Sequence, residues 1–260
     1  MARQSAYAAA VDIDERFYPY RTTPARIALD AADAIASSPG VTRVALIGPI
    51  ADGRQDGHAV IDLLAAVTDD SASVAASAAL HEALPLRYYY PLPDSPAPSG
   101  AYWLEGESPF HRVEVEFTSG ELFDVAVKAA TAGAAGIPDG GSAMVNVVEA
   151  RPAPVLTSSS GLPDTRTATQ PRELALGAAL IRALDAMAEY LRGRAELEPA
   201  RLAMTLLDEA YEAVGHPKRT PAGHIGDLVS ECRALWQTLY LAHLRAESGI
   251  EVRDPEGLSG

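Results

Sequence analysis

The stretch "LIGPIADGRQDGHAVIDLLAAV", residues 46–67, decides how the rest of the chain is read. The run "RVALIG" (43–48) is short, apolar and stopped by a glycine, which reads as a buried strand. "VIDLLAAVT" (60–68) is a second strand, too apolar on both faces to lie at a sheet edge. Between them runs a loop carrying Gly48, Pro49, Gly53 and His58. A carboxylate inside such a strand is costly to bury without a task, so Asp62 is the first candidate for chemistry.

Helices flank this pair. "TPARIALDAADAIASSPG" (23–40) has a threonine to cap it, Pro24 in its first turn, and an apolar stripe of Ile27, Ala31, Ala34 and Ile35. "DSASVAASAALHEAL" (70–84) is a second helix, with Asp70 or Ser71 as its cap. The following "LPLRYYYPLPDSPAPSGAYWLEGESP" (84–109) shows no period and reads as a long irregular segment. Its Tyr90, Tyr102 and Trp103 are candidates for a substrate wall, or for a loop packed on its own aromatics.

"HRVEVEFTSGELFDVAVKAA" (111–130) alternates apolar and polar residues and is expected to form a β-hairpin. A three-residue turn, Ser119 to Glu121, pairs Phe117 with Phe123 and Val115 with Val125 on one face. The other face then pairs Glu116 with Asp124, Glu114 with Ala126 and Arg112 with Lys128. That register brings two carboxylates side by side, with Asp62 expected nearby. "SAMVNVVEA" (142–150) is a further strand.

From about residue 170 the pattern turns helical, with Leu174, Ile181, Leu184 and Leu191 near the 3.6 period. Two more helices follow, the first stopped by Gly215 and the second carrying Leu228, Cys232, Leu235 and Leu239 on one face. The expected organisation is an α/β domain over 1–155, a Pro/Ser/Gly-rich linker over 156–170 and an α-helical bundle domain over 171–260. The connector "HPKRTPAGH" (216–224) is the one concentrated basic segment, and Lys218 and Arg219 could face an anionic group or solvent.

Composition narrows the partners. A formal charge of −14 and a pI near 4.8 argue against nucleic acid and anionic membrane surfaces, because both would be repelled. The single cysteine, Cys232, leaves no disulfide framework and no thiolate zinc site. No apolar stretch approaches the ~20 residues of a membrane span, and a cytoplasmic location is expected. A small-molecule substrate is the expected partner, with a homodimer left open.

The order of elements resembles the nucleotidyltransferase superfamily, closest to its aminoglycoside and lincosamide members and to the minimal bacterial nucleotidyltransferases. Their signature is Gly-Ser, ten residues, then Asp-x-Asp. Here Gly48-Pro49 is followed by ten residues and then Val60-Ile61-Asp62. Gly53 and Leu63 also stand where the family pattern has them, and Asp124 is the match for its third acid. The resemblance implies a mixed β-sheet flanked by helices, an α+β or α/β class, and a C-terminal helical bundle. It also implies Mg²⁺ ions and ATP, held by the loop and by the acids Asp62 and Asp124, with Glu116 as a substitute ligand.

The departures fall on that chemistry. Pro49 brings neither hydroxyl nor N–H to a phosphate, and Val60 has no donor atom at all. The expectation is therefore an enzyme that keeps the pocket and performs metal-independent acid/base work on a small molecule, with no cofactor. Asp62, Asp124, Glu116 and His58 would be its catalytic groups, and Tyr90, Tyr102, Trp103, Glu114, Lys218 and Arg219 its substrate contacts. His111, at the start of the alternating segment, stands beside His58 as a secondary candidate. A surviving ATP- and Mg²⁺-dependent transferase acting on a hydroxylated antibiotic-like molecule, and a non-catalytic binding protein, are the alternatives.

Overall fold

The computed structural model describes residues 24–51, 57–91, 98–134, 146–149, 171–215 and 223–248. Helix α1 (Pro24–Ala36) leads into β1 (Val41–Ile47), a single-turn α2 (Gly48–Ala51) and β2 (Ile61–Val67). Then come α3 (Asp70–Ala83), β3 (Leu86–Pro91), β4 (Gly100–Leu104), β5 (Arg112–Thr118), α4 (Gly120–Ala134) and β6 (Asn146–Glu149). Three long helices follow: α5 (Pro171–Leu191), α6 (Leu197–Val214) and α7 (Gly223–Ser248). Among the described residues no helix is long and apolar enough to cross a membrane.

The chain is a mixed α+β protein. Its six-stranded sheet has the order β3-β4-β5-β2-β1-β6. The β2–β5 pairing is parallel, and every other neighbouring pair is antiparallel. Helix α3 is capped one residue earlier than expected, by Asp69, whose carboxylate accepts from the Ala72 backbone N–H at 3.0 Å. The Ser71 hydroxyl donates to that same carboxylate instead of capping. Helix α6 ends as expected at Gly215, which takes the left-handed conformation at φ 71°.

Two expectations fail here. Residues 119–130 continue into helix α4 rather than turning back as the second arm of a hairpin. Ser119 starts it, its carbonyl accepting from Phe123 N–H at 2.9 Å. The reason lies in an overlap of periods: Phe123, Ala126 and Val127 are also spaced at i, i+3 and i+4. That trio packs on Ala45, Leu64 and Ala66 of the sheet. Val125, which belonged to the alternation, is left exposed at 63%, as is Leu122 at 61%.

The aromatic stretch is the second. Its described part forms the antiparallel pair β3–β4, with Tyr89 opposite Tyr102 and Tyr88 opposite Trp103. Period-2 alternation is invisible where both faces carry aromatics, which is what a strand pair covered on both sides requires.

Strand alternation sorts the side chains into two faces. One carries Val44, Leu46, Ile61, Leu63, Val113, Val115 and Tyr102 and is covered by α1 and α3. The opposite face has two separate covers. Helix α4 lies over β1 and β2, while Tyr90, Ala101, Trp103 and Phe110 share a core with α5, α6 and α7. Polar ties reinforce the second cover: Arg87 to Glu231 at 2.7 Å, and Arg192 donating to the His58 carbonyl at 2.8 Å.

The closest approach in that seam is Tyr90 over Gly177, where a Cβ would come within 2.2 Å of the ring. Gly177→Ala gains about 1 kcal/mol of helix propensity, but overpacking a buried ring costs about 1–3 kcal/mol. The substitution is expected to lower stability by up to about 2 kcal/mol net in urea unfolding. A raised midpoint would show that the strand and helix are not held this tightly.

Candidate functional site

On the face with two covers, the described elements leave a polar strip between α4 and α5. Asp62 stands near the start of β2, opposite Ile47 of β1 on one side and Glu114 of β5 on the other. Its carboxylate lies over Gly48, where a Cβ would come 2.7 Å from Asp62 Oδ2. Gly48 also has φ +76°, so glycine is required there on two counts: handedness and clearance. No hydrogen bond ends on the Asp62 carboxyl among the described residues.

Asp62 therefore keeps its charge at a cost. Burial pushes its carboxyl up from 3.8 to about 7; neighbouring Glu114 and then Asp185 add to the rise, and the Arg112 guanidinium opposes it. A carboxyl in that range is present both as acid and as base near neutrality.

Arg112 anchors the strip. Only 4% of its side chain is exposed, yet it meets two acids from different elements. Nε donates to Glu114 Oε1 at 2.6 Å, and Nη2 donates to Asp185 Oδ1 on α5 at 2.7 Å. Burial works against its charge, but Glu114 and Asp185 outweigh that and hold the guanidinium above its ordinary range.

The remaining predicted residues are scattered. Asp124 sits on α4, exposed and bound by Arg43 at 2.6 Å, which holds its carboxyl below the usual carboxylate range. It belongs to the clamp that seats α4, where Arg43 also donates to the Gly120 carbonyl and stacks on Phe123. The expected convergence of Asp124 with Asp62 and Glu116 is thus overturned along with the hairpin. Glu116 does share a face with Asp62, but it pairs with Leu64, farther along β2, and is exposed.

His58 is buried edge-on to Phe110 at 5.0 Å. His111 is buried as well, its Nε2 paired with the Gly57 carbonyl at 3.0 Å. Tyr90, Tyr102 and Trp103 are core residues. Tyr102 lies on the opposite face with its hydroxyl on Ser77 and the Pro98 carbonyl, and Trp103 Nε1 donates to the Pro109 carbonyl. None of the three forms an open wall. Pro49 lies in α2, while Gly53, Lys218 and Arg219 fall outside the described residues.

Glu114, foreseen as a substrate contact, is the acid beside Asp62. Arg112 and Asp185 were missed as site residues. Arg112 read as the partner of Lys128 across the expected hairpin, and Asp185 carries no local signal within a helix whose partner strand is unknown.

The described residues do not fit the Mg²⁺ site that the resemblance implies. No group of three or more His, Cys, Asp or Glu side chains among them could hold a metal ion. Glu114, opposite Asp62 on β5, has an oxygen committed to Arg112.

No model of a known protein family matches the chain, and no curated protein matches it either.

The Asp62 environment yields a stability test. Its acid form is favoured by folding, so the stability of the wild type falls as pH rises from 3.8 to about 7 and levels off above that. Asp62→Asn removes the penalty and is expected to raise stability by about 2–4 kcal/mol at pH 8. The gain fades toward pH 4. Urea unfolding at both ends checks this, and a gain equal at both pH values would contradict it.

Proposed function

We propose that the chain is an enzyme performing metal-independent acid/base chemistry on a small molecule, such as a cyclisation, elimination or isomerisation. One observation carries the reading: a single carboxyl, Asp62, set against Gly48 in an otherwise apolar strand, beside Glu114 and without a hydrogen bond among the described residues. Asp62 is the proton-carrying group. A positioned acid of this kind contributes roughly 10²–10⁴-fold to a proton-transfer step. Glu114, tethered by Arg112, supplies a fixed negative charge that stabilises positive charge developing on the substrate.

The mixed sheet, the glycine at the end of β1 and the acid at the start of β2 support descent from a nucleotidyltransferase-like ancestor. On this reading Pro49 and Val60 mark the loss of triphosphate and metal handling, and the acid on β2 is what was retained. Fold-level kinship does not specify the reaction, and the proposal rests on the side chains.

The test has two arms. The full chain is incubated with a small-molecule extract of bacterial cells in ²H₂O, and mass spectrometry scores compounds that are converted or gain deuterium. Conversion by the wild type that Asp62→Asn abolishes is expected; no Asp62-dependent change would sink the proposal and favour a binding role. In the second arm, calorimetric titration with Mg-ATP is expected to show no binding that depends on Asp62. Tight Mg²⁺-dependent ATP binding lost in Asp62→Asn would replace this reading with that of a working nucleotidyltransferase.

A further inference from the structure

A buried arginine in the midst of acids is the least expected feature of the strip. Asp62 and Glu114 are cross-strand neighbours on one face, so their carboxylates repel each other. Asp185 approaches the same point from α5. Exposure falls from 48% at Asp185 to 25% at Glu114 and only 4% at Arg112, so water screens the cation least. Carrying the parallel register of Ile61 with Val113 back one residue sets Val60 alongside Arg112. An acid at position 60 would crowd a fourth carboxylate around that guanidinium. Valine leaves Arg112 to serve three acids, two of them by direct ion pairs.

We propose that Arg112 is the resident cation of this site: a positioning residue whose guanidinium takes the charge-balancing place of a divalent metal ion and holds Glu114 in a fixed orientation beside Asp62. The inference rests on reading the Asp62 strip as the functional site. Several features suit a guanidinium to the task. It presents donors in a planar fork, so one group reaches a strand acid and a helix acid at once. It does not lose its charge at any physiological pH. It is also covalently fixed, so the charge balance does not depend on ion concentration. The arrangement ties the site to the packing of α5, because one of the two ion pairs spans β5 and α5.

Arg112 and a divalent ion should then exclude each other, which calorimetric titration with MnCl₂ on the full chain can read without any substrate. The wild type is expected to show no saturable Mn²⁺ binding below about 1 mM. Arg112→Met, which removes the charge but keeps an unbranched apolar stem, is expected to gain a single site at least tenfold tighter. Adding Asp62→Asn to that variant should abolish the site. Arg112→Lys retains a charge and is expected to fold and to bind no Mn²⁺.

Saturable Mn²⁺ binding by the wild type that Asp62→Asn removes would overturn the proposal. So would a folded Arg112→Met that binds no Mn²⁺. If Arg112→Met is unfolded alone, 10 mM MnCl₂ is expected to restore its cooperative thermal transition; absence of that rescue would likewise overturn it. None of these results depends on catalysis, so the acid/base proposal can fail while this one stands. Loss of Asp62-dependent turnover with normal Mn²⁺ exclusion is the distinguishing pattern.

Discussion

The parallel pairing of β2 with β5 is the constraint from which the rest of the molecule follows. Every other contact in the sheet is antiparallel, so this one ladder obliges the chain to leave β2, pass through α3 and the β3–β4 pair, and return in the same direction. It places Asp62 beside Glu114 and Leu63 beside Val115. The apolar partners of that register bury one face under α1 and α3, and the polar partners fall together on the other. A slip of one residue would send Asp62 into the apolar core and Leu63 into the strip, which is why the register is strongly specified.

Charge is handled differently at the two ends of that second face. Under α4, Arg43 and Asp124 form an exposed clamp worth little by itself, and Phe123 buried on Ala45, Leu64 and Ala66 contributes most of the attachment. Toward α5, Arg112 is almost wholly withdrawn from water and its two acid partners are not. A buried cation of this kind is weak evidence for stability and better evidence for geometry, since an apolar residue of similar size packs as well. The Asp62 carboxyl is in the converse state: withdrawn from water, beside another acid, and raised to about 7. The same burial thus leaves a fixed positive charge on β5 and a carboxyl near neutrality on the adjoining strand.

Much of the framework was legible from local pattern. The strands at 43–48 and 60–68, the helices flanking them, the Gly215 stop and the long C-terminal helices all depend on periodicity and capping that act over a few residues. Asp62 was legible too, because a lone acid in "VIDLLAAV" violates the pattern around it. The 119–130 segment was not, since its apolar residues satisfy a period of two and the i, i+3, i+4 spacing equally well. What tipped it was Phe123 finding the small side chains of Ala45 and Ala66, contributed by residues more than fifty positions away. The same applies to "LRYYYP" and "GAYWL", whose strand character depends on cover from both sides.

The sequence by itself determined the class of the protein, its elements on either side of Gly48 and the singular position of Asp62, because those depend on hydrophobic period and on the cost of burying one charge. Only the tertiary structure decided which groups surround that charge. Glu114 rather than Asp124 stands next to Asp62, and a guanidinium from β5 joined to Asp185 of α5 completes the strip. Ion pairs between residues 73 positions apart leave no trace in local composition. They exist because the parallel register and the seating of α5 on Tyr90 bring the two elements together, and neither is a local property of the chain.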